Sequence, residues 1–189
     1  MELPVITYKR SEYIETDTGN KIHRQCLIGG GQNIMLGGKT IIQPNCVIRG
    51  DLCRIGAGHS VVVVGIGRYC LLGTGSVIRP PYKVYRGAFN YYPIKIGDHV
   101  VIGEGTIVEA ASIGSFVYIG KNCVIGRFAI IKDCVRIEDN TVIAPNTVVS
   151  SFSVYAGSPG VWVDELPEST QEVYEAQSKD QYAKFIARE

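Results

Sequence analysis

The sequence is poor in the residues on which most catalytic and metal sites are built. It has three histidines (His23, His59 and His99) and one tryptophan in 189 residues. Its six cysteines contain no C-x-x-C pair, so a structural zinc is not expected. No apolar run approaches the roughly 18 residues of a membrane span. Val61–Val64, the longest candidate, is far too short, so direct membrane insertion is not expected. Met1-Glu2-Leu3-Pro4 lacks the basic region and apolar core of a signal peptide, and none is expected. A formal charge of +1 argues against a nucleic-acid partner or an anionic membrane. A hydrophobic content of 46% at this length fits a single domain, 1–189, with a full core.

What the chain has in quantity is a repeat. Ile113, Ile119, Ile125, Ile131, Ile137, Ile143 and Val149 fall six residues apart, and Tyr155 takes the next place. Four places after each anchor sits a small or β-branched residue: Val117, Cys123, Ala129, Val135, Thr141, Thr147 and Ser153. Neither 3.6 nor 2 divides the whole pattern, so it is neither an amphipathic helix nor one long strand. A strict hexapeptide period predicts an all-β, left-handed parallel β-helix, with three hexapeptides to a turn and coils about 4.8 Å apart. Each anchor and its small follower point inward, and stability comes from neighbour-on-neighbour burial. Cys26, Cys46, Cys70 and Cys123 occupy the small slot, where free cysteine serves as a buried hydrophobe. Cys53 and Cys134 fall outside it. This usage points to a reducing, cytosolic setting.

The pattern extends over 22–160, about seven coils. Residues 1–20 read as polar and irregular, with Tyr8, Tyr13 and Ile14 as attachment points. The register opens with Ile22, Ile28 and Ile34, is broken by two extra residues at Gly37-Gly38, and resumes at Ile42 and Ile48. Ile55–Gly65 reads as an insertion, in which Val61–Val64 pairs at an edge or covers an apolar face. A second excursion spans Pro80–Pro93. Gly157-Ser158-Pro159-Gly160 closes the repeats. A C-terminal helix is expected over 166–186, with Ser169 and Glu172 at capping-box spacing. It would bury Val173, Tyr174, Tyr182, Phe185 and Ile186 on the prism.

Two enzyme classes share this architecture. Hexapeptide acyltransferases use a histidine base, but none of the three histidines here has an identifiable partner, and all three read as exposed. The segment Ile48-Arg49-Gly50-Asp51 resembles the arginine–glycine–aspartate segment of γ-class carbonic anhydrases. Matched coil for coil, that resemblance places Arg79, Glu104 and Glu109 where the family has its three zinc-ligand histidines. A guanidinium cannot coordinate zinc, so no metal or other cofactor is expected. Arg79 reads either as an ion-pair partner of Glu104 or Glu109 or as an unrelated exposed residue. Arg49 and Asp51 read either as an interface pair with a neighbouring subunit or as a surface turn.

The chain as a whole resembles the family of β-helical pointed-end subunits of dynactin. The resemblance rests on Ser11–Thr16, Arg49-Gly50-Asp51, Val77-Ile78-Arg79-Pro80-Pro81, Ile96–Val100, Gly120–Arg127, Lys132-Asp133-Cys134, Asp139–Val142 and Glu165–Glu172. Ile55–Gly65 departs from it, being longer than in the animal members. The resemblance implies a non-enzymatic, cytoplasmic and cytoskeleton-associated subunit that caps the actin-like filament of this dynein activator and engages cargo adaptors or early endosomes. The implied neighbours are a related 27-kDa β-helical subunit, the actin-related protein 11 and the 62-kDa subunit. The candidate partner-binding residues are Tyr82, Tyr85, Phe89, Tyr91 and Tyr92, with Arg49 and Asp51. The alternative for the aromatics is packing back on the prism, and the alternative function is an enzyme of either hexapeptide class.

Overall fold

The computed structural model describes residues 3–54 and 62–188. Short parallel strands stack into three sheets that form a triangular prism, a left-handed parallel β-helix. Six complete coils are present, and Ser153–Ala156 begins a seventh. One sheet has nine strands, because antiparallel Tyr13–Glu15 and Val161–Glu165 close its two ends. We call this the capped face. A six-stranded sheet runs from Leu27–Gly29 through Val47–Arg49, Val77–Ile78, Ile107–Val108 and Val124–Ile125 to Val142–Ile143, and we call it the aliphatic face. The third, from Ile34–Gly38 to Val148–Val149, is the polar face.

The hexapeptide period produces this shape through backbone pairing and side-chain direction together. The amide before each anchor donates to the small-slot carbonyl of the next coil, as in Leu27 to Cys46, Val47 to Ser76 and Val77 to Thr106, all at 2.9 Å. The anchors Ile42, Ile48, Leu72, Ile78, Ile102, Ile119, Ile125, Ile137 and Ile143 are fully buried in one continuous core. Corners are turned by a residue three places after the anchor in the left-handed region: Asn45, Asn122 and Asn140 at one edge, and Lys39, Tyr69, His99, Phe116, Cys134 and Phe152 at another. Such backbone costs a side-chain-bearing residue about 1–2 kcal/mol, least for asparagine, so the aromatic column needs compensation. Stacking supplies it. Tyr69 lies on His99 at 5.3 Å and His99 on Phe116 at 5.2 Å, both pairs near-parallel.

Several sequence expectations are corrected. Leu36, not Ile34, holds the anchor place, since Leu36 pairs with Ile66. The two extra residues therefore lie in Gly30–Asn33, and Gly37 and Gly38 are ordinary corner positions. Residues 55–61 of the expected insertion lie outside the described residues, but Val63 and Val64 are buried and Val64–Arg68 is a core strand. These two valines therefore fill the prism instead of covering it, while Val62 is exposed. The N-terminal segment is not irregular. Ile6–Lys9 forms a strand with Tyr8 inward, while Ile14 points to solvent.

The C-terminal helix is Thr170–Ala183, shorter than expected, and Ser169 makes no side-chain cap. Phe185–Arg188 is instead a strand parallel to Ile6–Lys9, with Phe185 buried against Tyr8 at 4.4 Å and Ile186 exposed. Pairing between the two termini, unreadable from local sequence, outcompetes helix continuation here. Lys21 fastens this strand to the prism, its Nζ donating to the Phe185 carbonyl at 2.7 Å. Val173 is exposed, so the helix buries less apolar surface than its sequence implied.

Coil spacing leaves no room at some glycines that follow an anchor, as at Gly103, where an added Cβ would overlap the Gly120 carbonyl. Gly75 has open space and only a left-handed backbone. Ile119→Ala is expected to cost about 2–5 kcal/mol of unfolding free energy by urea titration. Gly103→Ala should lower the urea midpoint more than Gly75→Ala, whose cost is about 1–2 kcal/mol of backbone strain. The reverse order would show that coil spacing is not the governing constraint.

Candidate functional site

Arg79 and Glu109 follow paired anchors, Ile78 and Val108, on adjacent coils of the aliphatic face. That register brings Arg79 Nη2 to 2.9 Å from Glu109 Oε1. The Arg79 Nε atom is itself buried and without a hydrogen-bond partner in the described structure. Glu104 is not part of this pair. It follows Ile102 on the capped face, around a corner from Glu109, and its nearest cation is Lys121 at 3.9 Å. Five-residue spacing thus separates these two carboxylates onto different faces. A built-in cation and diverging carboxylates do not fit zinc. Among the described residues no group of three or more histidine, cysteine or acidic side chains could hold a metal ion.

Arg49 and Asp51 satisfy each other within the chain. Arg49 Nε and Nη2 donate to the two Asp51 oxygens, each at 2.8 Å, in a bidentate pair. The guanidinium holds the Asp51 carboxyl below its ordinary value. Both side chains remain exposed to solvent at about two-fifths of their surface, so a partner could still contact the pair.

The Pro80–Pro93 excursion is an antiparallel hairpin, Tyr82–Tyr85 with Ala88–Tyr91. Tyr82, Val84, Phe89 and Tyr91 share one of its faces, because Tyr82 pairs with Tyr91 and Val84 with Phe89. Three rings cluster there, with Phe89 5.1 Å from Tyr82 and 5.0 Å from Tyr91. Tyr92 packs back on Phe128 of the prism at 5.5 Å, and Arg127 covers the Tyr82 ring at 4.6 Å. Tyr85 and Val84 project into solvent. The hairpin is therefore held at its base and presents an apolar surface at its tip.

The histidines correct the expectation of exposure. His23 is buried beside Tyr13, and its Nδ1 accepts from the Gln25 amide at 3.1 Å. His99 is half-buried in the corner column, and its Nδ1 lies 2.6 Å from Ser178 Oγ on the C-terminal helix. Ser178 Oγ also lies 3.0 Å from the Glu175 carbonyl, so it links the imidazole to the helix backbone. A pocket of about 110 Å³ opens beside it, lined by Val101, Tyr118, Tyr174 and Gln177. His59 lies outside the described residues. All six cysteines are free, and burial pushes the Cys70 thiol up to about 12, which leaves it unreactive. Cys134, outside the small slot, is a buried corner residue. The stacked column of Tyr69, His99 and Phe116 was missed in the sequence, although its signal was present as aromatic rings three places after successive anchors.

These features define a hexapeptide-repeat β-helix protein with an Arg79–Glu109 ion pair on its aliphatic face. The family model described as dynactin subunit 5 matches residues 1–188. Dynactin subunit 5 of Dictyostelium discoideum is 48% identical over 179 residues, covering 95% of this chain and 86% of that protein. The chain belongs to the dynactin subunit 5 family. Among solved structures, a hexapeptide transferase family protein from Anaplasma phagocytophilum superposes with a TM-score of 0.62 at 16% identity, covering 87% of this chain and 89% of its own. The acetyltransferase domain of PglB from Neisseria gonorrhoeae gives 0.58 at 13% identity over 77% and 58%. Both likenesses are of fold.

Burial depresses the His99 pKa below the ordinary imidazole value of about 6.5. The unfolded chain therefore binds this proton first on acidification. Stability should be fully present above about pH 6.5 and should fall as the pH drops below it. His99→Phe, which keeps the stack and removes the titration, should flatten the change in urea midpoint between pH 7.5 and 5.5. An unchanged slope would assign it to other groups. For the partly exposed Arg79–Glu109 pair, in which the glutamate is the more buried partner, a double-mutant cycle to methionine should give a coupling of about 1 kcal/mol. Zero coupling would mean that the two charges are independently solvated.

Proposed function

We propose that the chain is a non-catalytic subunit of the dynactin pointed-end complex. In this reading it caps the actin-like filament and engages cargo adaptors or early endosomes during dynein-driven transport. The observation that carries it is the family match over residues 1–188. The expected neighbours are a related 27-kDa β-helical subunit, the actin-related protein 11 and the 62-kDa subunit, in the cytoplasm and on the cytoskeleton. The absence of catalytic work is supported by the metal-equivalent positions, where Arg79 neutralises Glu109 and Glu104 faces elsewhere. His99, which lines a small cleft, engages Ser178 of the same chain through its Nδ1.

The hairpin surface is the first candidate for contact, with Tyr82, Tyr85, Phe89, Tyr91 and Tyr92 supplying aromatics of the kind enriched in interface cores. Arg49 and Asp51 lie one coil before Val77–Ile78, the strand that leads into the hairpin. The other reading, an acyltransferase, draws on the fold of the solved relatives alone, and tight binding of coenzyme A in a titration would revive it.

An affinity-tagged chain expressed at its native level should recover actin-related and dynein-activating subunits from lysate. A homotrimer of the chain by itself, with none of those subunits, would overturn the proposal.

A further inference from the structure

The three faces are built alike, so their outward residues can be compared column by column. Each strand turns two side chains outward, one before and one after the anchor. On the capped face the first column reads Ile41, Leu71, Val101, Tyr118, Arg136 beside Gly73, Gly103 and Gly120. The chain's own C-terminal helix lies along that ridge. Gln177 and Ser178 line a pocket with Val101 and Tyr118, Tyr182 Oη donates to the Gly19 carbonyl at 2.6 Å, and Arg136 opposes the upward shift that burial gives the Tyr174 phenol. On the polar face the same column reads Met35, Gly65, Lys95, Ser112, Ile130, Val148, with no continuous apolar ridge.

The aliphatic face repeats the capped face's pattern without its helix. Its column is Leu27, Val47, Val77, Ile107, Val124 and Val142, aliphatic in all six coils. None of the six is buried, with Leu27 70% and Val124 37% exposed. Beside it run Gly29, Arg49, Arg79, Glu109, Gly126 and Ala144. A second sheet laid on this face would bury Arg49, Arg79 and Glu109, a desolvation cost that apolar contact with one ridge does not offset. A helix needs only one apolar stripe and leaves those charges on its flank. The ridge spans about 24 Å at the strand-stack spacing, the length of about 16 helical residues. At the corner towards the hairpin, Arg127 and Lys83 lie over the rings of Tyr82 and Tyr92. Arg86 lies over Tyr85, and none of the three forms an ion pair among the described residues. That border carries surplus positive charge.

We propose that the aliphatic face is a docking face for an amphipathic α-helix of a partner chain, with an aliphatic stripe on the ridge and acidic residues on the flank towards the hairpin. The inference rests on the reading of the chain as a non-catalytic docking subunit and adds the face used and the chemistry of what it receives.

Two measurements test it. The first takes the purified full chain and two helical peptides of about 18 residues, each with leucines at three- and four-residue spacing, one flanked by glutamate and one by lysine. Fluorescence anisotropy should show the glutamate peptide binding and the lysine peptide about tenfold weaker. Val124→Asp should weaken binding about tenfold, and Met35→Asp on the polar face should leave it unchanged. Equal binding of both peptides, no binding, or indifference to Val124→Asp overturns the proposal. The second places a photo-crosslinking residue at position 124 or position 35 in the chain recovered with its native complex. Capture from position 124 of a segment with that helical pattern supports the proposal. Capture of a β-strand segment, or equal capture from position 35, overturns it. If the chain recovers no dynactin subunits, the pointed-end reading fails, and the peptide titration still decides the docking face independently.

Discussion

Everything in this molecule depends on the close stacking of one coil on the next. The amide before each anchor reaches the small-slot carbonyl of the following coil at 2.9 Å, along whole columns of the prism. Such contact is possible only if the slot residue is small, the residue after the anchor tolerates a neighbour's backbone, and the corner residue accepts a left-handed conformation. Cysteine, threonine, serine and alanine in the slot meet the first demand. Glycines such as Gly73 and Gly103 meet the second, and asparagines meet the third at little cost. Where the corner residue is aromatic, rings on successive coils stack on one another, and the C-terminal helix closes over them through Ser178.

A prism built this way has three nearly equivalent faces, and its function depends on what each face turns outward. One face is covered by the chain's own termini, with Lys21 binding the last strand and Tyr182 reaching back to Gly19. One is polar. The third keeps an aliphatic ridge beside a column of glycine and paired charges. The solved structures with the same fold are named as transferases, and in this chain Arg79 and Glu109 pair with each other on the aliphatic face.

The repeat was legible because burial of an anchor every six residues leaves a signal in local sequence. The approximate coil count, the place of the excursion after Pro80 and the slot cysteines followed from it, while the hairpin within that excursion did not. Errors arose where two readings shared one local pattern. Ile34 and Leu36 are both aliphatic, and only pairing with Ile66 decides between them. Val63 and Val64 resemble an edge strand until the core is seen to need them. Phe185 and Ile186 continue the spacing of a helix, yet Ile6–Lys9, far away in sequence, draws them into a strand. The histidines looked exposed because outward positions usually are. His99 is half-buried only because a helix nearly 80 residues later lies against it.

For the candidate site, sequence by itself determined the residue types: Arg79, Glu104 and Glu109 after or near anchors, an aromatic excursion, and the aliphatic places before the anchors. It determined the β-helix as well, since a six-residue period has no other packed solution of comparable regularity. The tertiary structure decided which of those residues meet. It paired Arg79 with Glu109 and turned Glu104 around a corner, and it matched Arg49 to Asp51 within one chain. It also covered one face with the terminal helix and strand, while among the described residues another keeps an exposed aliphatic ridge. The physical reason is that coil register is set by long-range hydrogen bonding and the burial of anchors, so neighbours across coils lie some 17 to 30 residues apart and leave no trace in local spacing.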